Sequence, residues 1–350
     1  MTLLDRLGVS LPIFQAPMAG VSTPEMAAAV SNAGGLGGIA VGATDAAGAA
    51  AMITAVRALT DRPFNVNVFV HETPVADAVR EAAWLAALSP LFAEFGAEPP
   101  PGLKTIYRSF ADDAAMQALL VEAAPPVVSF HFGLPRAEVI AALKAAGCVL
   151  LATATSLEEA RVVEAAGIDA VVAQGWEAGG HRGVFDPDAP DERLGTMALT
   201  QLLVERTSLP VIAAGGIMDG CGIRTALDLG AVAAQLGTAF IACPESAADG
   251  FYRSTLASEA AEHTVMTLVI SGRPARCLAN RFTAWDDGSR PPVPAYPIAY
   301  DAGKALNAAA KARGEGGFGA QWAGQGAPMA RGLPAAELVA ALVWEMDKVD

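Results

Sequence analysis

The chain has 350 residues, 53% of them hydrophobic and 17% charged, enough apolar material for a large buried core and too much for a disordered chain. Its formal net charge of −14, with no run of lysine or arginine, argues against a nucleic-acid backbone or an anionic membrane surface as partner and points to a small molecule. Four unevenly spaced cysteines, Cys148, Cys221, Cys243 and Cys277, show no zinc spacing and fit buried free thiols in a reducing cytoplasm; Asp5 and Arg6 interrupt any secretory leader, and Ser31, Asn32 and two glycine pairs break the uncharged window from Met26 to Thr44 before it could span a bilayer.

Read in chain order, short apolar runs predict strands at residues 12–16, 36–41, 64–69, 127–132, 149–152, 170–173, 211–214 and 233–236. Helical patterns fall between them at 24–33, 46–59, 73–87, 136–146, 157–166, 196–207 and 222–229, and Gly147, Gly167 and Gly230 stand where a helix would be capped. Strands that are continuously apolar and joined through helices belong to a parallel sheet buried on both faces. Eight such units predict an α/β fold, a (β/α)8 TIM barrel; an open doubly wound sheet is the alternative, but no early glycine fingerprint with an acidic residue ~20 positions on is present. Residues 90–117, rich in proline and short on period, read as a loop insertion before the fourth strand. The tail after Cys243 reads as a helical and irregular cap, giving a division into a barrel over 1–243 and a capping segment over 244–350 that completes the site.

Chemistry in such a barrel sits at the carboxyl ends of the strands. Those ends carry Gln15 with Ala16, Pro17 and Met18, then Asn67, His131, Thr153, Gln174 with the glycine-rich loop to His181, then Gly215 and Gly216, and last Gly237 and Thr238. Glycine turns after the seventh and eighth strands suit a phosphate held by backbone N–H groups, and with amides on the central strands they suit flavin mononucleotide, although either turn alone could be a tight connection without a ligand. The loop from Gln174 to Gly183 could likewise be an ordinary turn with an incidental histidine, but its glycines would admit a ligand close to the backbone and His181 titrates nearest neutrality.

Seven segments taken together resemble the successive motifs of the nitronate monooxygenases, formerly called 2-nitropropane dioxygenases: Pro12-Ile-Phe-Gln-Ala-Pro-Met-Ala-Gly20, Ala33-Gly-Gly-Leu-Gly37, Asn65-Val-Asn-Val-Phe69, Ser129-Phe-His-Phe-Gly133, Gln174-Gly-Trp-Glu-Ala-Gly-Gly-His-Arg-Gly183, Ala213-Ala-Gly-Gly-Ile217 and Gln235-Leu-Gly-Thr238. His131 together with the later Tyr296-Pro-Ile-Ala-Tyr300-Asp-Ala-Gly-Lys304 resembles the bacterial class acting on propionate 3-nitronate. The resemblance implies that Ala16, Pro17 and Met18 line the flavin through their backbone, that Asn67 and Gln174 hydrogen-bond it, and that Gly179 and Gly180 lie close to its ring or ribityl chain. It implies a phosphate site at Gly215, Gly216, Gln235, Leu236, Gly237 and Thr238. His181 would face the substrate side of the ring with His131 across from it, while Tyr107, Tyr296, Tyr300 and Lys304 would line the pocket mouth. The reaction implied is FMN-dependent oxidation of an anionic alkyl nitronate by O2 to a carbonyl compound and nitrite or nitrate.

Pro297 fits the first turn of a helix that would put Tyr296, Tyr300 and Lys304 on one face at i, i+4 and i+8. Spacing alone favours a solvent-facing stripe; the resemblance turns it toward a pocket. His71 and His263 read as surface or packing residues, and no histidine has a second metal ligand at i+3 or i+4, so no metal site is expected. Because fold does not settle function, an NAD(P)H-dependent flavin reductase of quinones or enoyl thioesters and a flavin-binding protein without turnover remain rival readings. The chain is expected to be cytoplasmic and a monomer or homodimer.

Overall fold

The computed structural model describes residues 1–348. Eleven strands form among them: β1 (Ile13–Gln15), β2 (Gly37–Ala40), β3 (Phe64–Phe69), β4 (Val127–His131), β5 (Val149–Ala154), β6 (Ala170–Gln174), β7 (Gly180–His181), β8 (Val211–Ala214), β9 (Ala233–Leu236), β10 (Thr264–Thr267) and β11 (Ala275–Leu278). Eight of these make one parallel sheet in the order β1-β9-β8-β6-β5-β4-β3-β2. A parallel bridge from Phe14 to Leu36, just ahead of β2, closes the sheet on itself, with Gln15 N–H donating to the Leu36 carbonyl and Leu36 N–H to that of Ile13, each at 2.9 Å. The fold is therefore a (β/α)8 barrel, as the alternation of apolar runs and helices predicts.

Each barrel strand is short because both its faces are covered, and every residue of β3, β5 and β6 is buried. The helices begin where short polar side chains can satisfy free N–H groups: Thr23, Asp45, Ser156 and Asp219 accept from the backbone N–H three residues on. At the amino end of the barrel the helix Leu3–Leu7 packs Leu3 and Leu7 against Val127, Val149, Ala170 and Ala233 at the strand starts, and Arg6 pairs with Asp169 at 2.7 Å. That plug leaves the carboxyl end as the place for a cavity.

Two segments differ from the sequence expectation. The helix expected at 73–87 runs from Ala78 to Glu94, straight through Pro90, because Trp84, Leu88, Leu91 and Phe92 are buried against the residues after β9 and tertiary packing outweighs the lost hydrogen bond. The insertion before β4 then consists of an irregular stretch, a short 3-10 turn at Phe110–Asp112 and a helix at Ala114–Ala123. The tail, besides its helices, contributes β10 and β11, and β11 pairs antiparallel with β7, so the segment after Cys243 is stitched directly to the loop that carries His181. No helix among the described residues is long and apolar enough to cross a membrane.

Candidate active site

β6 ends in Gln174, and its carboxamide organises the loop that follows. Gln174 Nε2 donates to the His181 carbonyl at 3.0 Å, and Oε1 accepts from Gly183 N–H at 2.7 Å. The residue expected to bond a cofactor thus spends its acceptor, and one donor, on folding the loop. His131, at the end of β4, donates from Nε2 to the same His181 carbonyl at 3.2 Å, and its Nδ1 lies 3.0 Å from Thr153 Oγ1, whose hydroxyl can donate to the neutral ring. The His181 ring is held from the cap: Nε2 lies 2.9 Å from Ser271 Oγ, and the Ser271 hydroxyl donates to the Arg273 carbonyl at 3.2 Å. Nε2 therefore carries the proton, and Nδ1 has no partner among the described residues.

Around these rings lies a cavity of about 640 Å3 at the carboxyl ends of the strands, within the size range of small-molecule sites. Ala16, Pro17, Met18 and Asn67 line it from the first strands, and Gly215, Gly216, Gln235, Gly237 and Thr238 from the last two. Leu236 is the exception: its side chain points away into the core beside Ile13 and Met26, and its carbonyl accepts from Ala16 N–H at 2.8 Å. Alternation along a strand forces this, since Gln235 and Gly237 face the mouth. Asn67 Nδ2 is bound to the carbonyl and hydroxyl of Ser129, at 3.1 and 2.9 Å, which leaves Oδ1 uncommitted.

The glycines divide by role. A Cβ on Gly179 would stand 2.4 Å from Gly324 N and 2.5 Å from the Ala323 carbonyl carbon, so Gly179 is needed for the loop to pass under the C-terminal strap as well as to line the cavity. A Cβ on Gly183 would stand 2.6 Å from Thr153 and 3.0 Å from His131, and this glycine lets the loop close over both. Gly180 lines the cavity with a positive φ. At Gly237 the same atom would meet Ala16 Cβ at 3.4 Å and Met18 Sδ at 3.5 Å, ordinary contact distances.

The cap supplies the phenols and the cation. The helix Ile298–Lys311 starts two residues after Tyr296, with Pro297 as its cap residue, yet Tyr296, Tyr300 and Lys304 all line the cavity, and so do Asn307 and Lys311 further along. This helix side faces the cavity, with Lys304 exposed at its mouth. The His181 ring centroid lies 5.2 Å from that of Tyr296 and 5.0 Å from that of Trp322; Tyr107 is 5.9 Å from Tyr300, and the Lys304 ammonium stands 5.0 and 5.3 Å from the centroids of Tyr107 and Tyr300. Burial pushes the Tyr107 phenol up to about 12 and Tyr296 and Tyr300 further, so all three are hydroxyl donors at neutral pH.

Burial first, and after it the Arg273 guanidinium, hold the His71 ring down at about 4. His131 is held at about 4 by the same two causes, against the His181 carbonyl, which favours its charged form; burial drives His181 well below its usual value. Free histidine titrates near 6.5, so below that pH the unfolded chain binds protons the folded chain refuses, and stability present above pH 6.5 is lost as pH falls toward 4. Denaturant melts should show this: going from pH 7 to 5.5, His71 alone should cost about 1 kcal/mol, and a stability unchanged over that interval would contradict neutral rings in the fold.

Five participants were not singled out as site residues by the sequence. Ser271, Arg273 and Trp322 come from the cap, where no period marks them, and Phe132 and His71 sit behind the cavity wall. His71 is buried against Tyr296, with ring centroids 5.0 Å apart, so of the two roles expected for it packing is the one it plays. The residue pattern could have flagged only Phe132, which follows His131 directly.

A closed barrel whose strand ends open into a cavity lined by imidazoles, phenols and glycine turns defines a (β/α)8-barrel enzyme. Comparison with known proteins gives its kind: the model of the nitronate monooxygenase family matches residues 1–345, and the chain belongs to that family, an oxidoreductase family. It is 64% identical to a nitronate monooxygenase of Paraburkholderia phytofirmans over 98% of this chain and 94% of the relative, and 59% identical to one of Pseudomonas aeruginosa over 97% of each. Among solved structures it is similar to the nitroalkane oxidase of Streptomyces ansochromogenes, with a TM-score of 0.90 and 44% identity over 99% of this chain and 98% of that one. It is also similar to FabK from Thermotoga maritima, with a TM-score of 0.74 and 29% identity over 99% and 96%.

Proposed function

We propose that the cavity binds FMN and that the enzyme oxidises anionic alkyl nitronates, propionate 3-nitronate foremost, with O2 to a carbonyl compound and nitrite or nitrate. The observation that carries the substrate class is charge. Of the lysines and carboxylates lining the cavity, Asp249 and Lys311 pair with each other, which leaves Lys304 without a lining carboxylate to pair with, and it is positive. In a chain of net charge −14 the surrounding field repels a dianion, so a local cation must attract it.

The residues present suit FMN. Gly215, Gly216, Gly237 and Thr238 provide backbone and hydroxyl groups for a phosphate, the position of a Cβ on Gly237 is free of protein clashes, and Asn67 Oδ1 offers an acceptor to the ring edge. FMN, when bound, would supply the redox chemistry between nitronate and O2. The chain's own residues bind and orient: Lys304 and the phenol of Tyr107 or Tyr300 grip the carboxylate, and the aromatic walls of Tyr296 and Trp322 exclude water beside His181. His181 Nδ1 is the acceptor that could take a proton from a neutral nitroalkane; a nitronate arrives without that proton and needs no base.

A charge-assisted hydrogen bond contributes about 1.5–3 kcal/mol, so propionate 3-nitronate should exceed ethyl nitronate in kcat/KM by about ten- to a hundred-fold. Lys304→Met should erase most of that preference with little change on ethyl nitronate. Steady-state kinetics on both substrates test it, and a Met variant that keeps the original ratio would move carboxylate recognition to Tyr107, His131 or an arginine.

A further inference from the structure

Three buried arginines flank the strand that carries His181, and they differ in how their charge is met. Arg182 is bound by Asp191, with Nε–O and Nη–O distances of 2.7 and 3.0 Å. Arg276 donates to the Trp176 carbonyl at 3.0 and 3.2 Å and stands at the outer side of the loop. Arg273, 4% exposed, has no carboxylate within ion-pairing distance among the described residues: it donates to the carbonyls of Val184 and Phe185, and its Nε–H has no partner. Its guanidinium carbon stands 4.3 Å from the centroid of Phe132, on the ring face. That ring touches every imidazole of the site. Its centroid is 4.5 Å from that of His131, 5.6 Å edge-on from His181, 6.4 Å from His71 and 5.5 Å from Tyr296.

Phe132 takes an unusual backbone conformation to occupy that position, with φ at 78°, a region that non-glycine residues seldom adopt. Glu159 is itself engaged: it accepts from Phe185 N–H at 2.7 Å while Arg273 holds the Phe185 carbonyl, so carboxylate and guanidinium grip one residue from opposite ends without pairing. Burial of this kind is costly for an unpaired cation, which makes a structural ornament a poor account of it.

We propose that Arg273 is a positioning residue whose unpaired buried charge adds to burial in holding His71, His131 and His181 in their neutral forms and gives the inner wall of the cavity a positive potential for anions. The charged and titratable groups facing the cluster are few. His71 comes from the segment after β3 and has Asp112 near it; His131 comes from β4, with Arg182 near it; Glu159, Asp186 and Asp188 act electrostatically on Arg273 without pairing with it; and Tyr107, Tyr296, Tyr300 and Lys304 face in from the insertion and the cap. The phenols are uncharged and Lys304 has the same sign as Arg273, so among the described residues lining the cavity none pairs with it. Burial lowers the Arg273 guanidinium to about 10, still fully charged at neutral pH. This inference rests on the proposed function only for what the neutral rings serve, and its test needs neither turnover nor nitronate.

The chain has four histidines, so a histidine-labelled preparation gives four titration curves by NMR. In the wild type, read from pH 5.5 to 9, the His71, His131 and His181 rings should stay essentially neutral. In Arg273→Gln a unit charge roughly 10 Å away is removed, which should raise the ring pKa values by about one pH unit at an effective dielectric near 20. For His71 and His131 that takes the protonated fraction at pH 5.5 from about 3% to about a quarter. Arg273→Lys should restore the wild-type curves, a rescue that a packing role would not produce. Curves in Arg273→Gln that match the wild type overturn the proposal. If that variant does not fold, the wild-type titration decides: either His71 or His131 titrating near 6.5 beside an intact Arg273 overturns it as well. Failure to form nitrite would sink the proposed function and leave these titrations untouched.

Discussion

His181→Asn should lower nitronate turnover by about 10²- to 10³-fold, the usual consequence of removing one preorganised polar group at a reacting centre. His181 is positioned by two independent ties: its backbone carbonyl receives bonds from Gln174 and His131, and its ring is anchored to Ser271. Asparagine keeps the first tie and cannot keep the second while presenting an acceptor at the Nδ1 position. His131→Asn should cost at least ~10²-fold through a different route, since that ring holds the His181 carbonyl in place. Both variants should retain flavin near one per chain, because neither side chain contributes to the glycine turns after β8 and β9. Rates and flavin content measured together check this, and near-wild-type rates in both variants would place the chemistry elsewhere in the cavity.

Gly237→Val should give a folded but colourless protein. The first added carbon meets only Ala16 and Met18 at 3.4 and 3.5 Å, and Gly237 has a φ of −108°, accessible to any residue, so the barrel tolerates the change. The side chain instead enters the space assigned to the phosphate. The flavin-to-protein absorbance ratio, with circular dichroism to confirm folding, reads the result; a folded, stoichiometrically yellow variant would show that the phosphate lies elsewhere. The contrast is Gly179, where a substitution should damage the fold itself by driving into the backbone of Ala323 and Gly324.

The eight barrel strands were legible in the sequence because each is a continuous apolar run stopped by a turn residue, and the polar residues at their ends mark the cavity from the barrel side. What escaped was set by distance in the chain. β7 is two residues long and includes Gly180; its pairing with β11 more than ninety residues later leaves no local pattern. Ser271 and Arg273, which meet His181 and Phe132 from that same part of the cap, escaped for the same reason. Pro90 misled because a breaker residue was weighed without the four large side chains that bury its helix. Gln174 and Gly183 were recognised as belonging to the site, but their bond to each other shows that part of a glycine-rich motif exists to fold the loop and only part to meet a ligand.

The central claim, a flavin-bearing cavity that oxidises an anionic nitronate, is tested most directly by the visible spectrum of the purified protein as propionate 3-nitronate is added, first without oxygen and then under air. The account predicts a yellow protein whose heat-released cofactor is FMN, loss of flavin absorbance with nitronate in the absence of oxygen, and return of the colour on aeration with nitrite accumulating. A yellow protein that nitronate leaves unchanged and NADH bleaches would contradict it, and would assign the same cavity to a nicotinamide-dependent reductase.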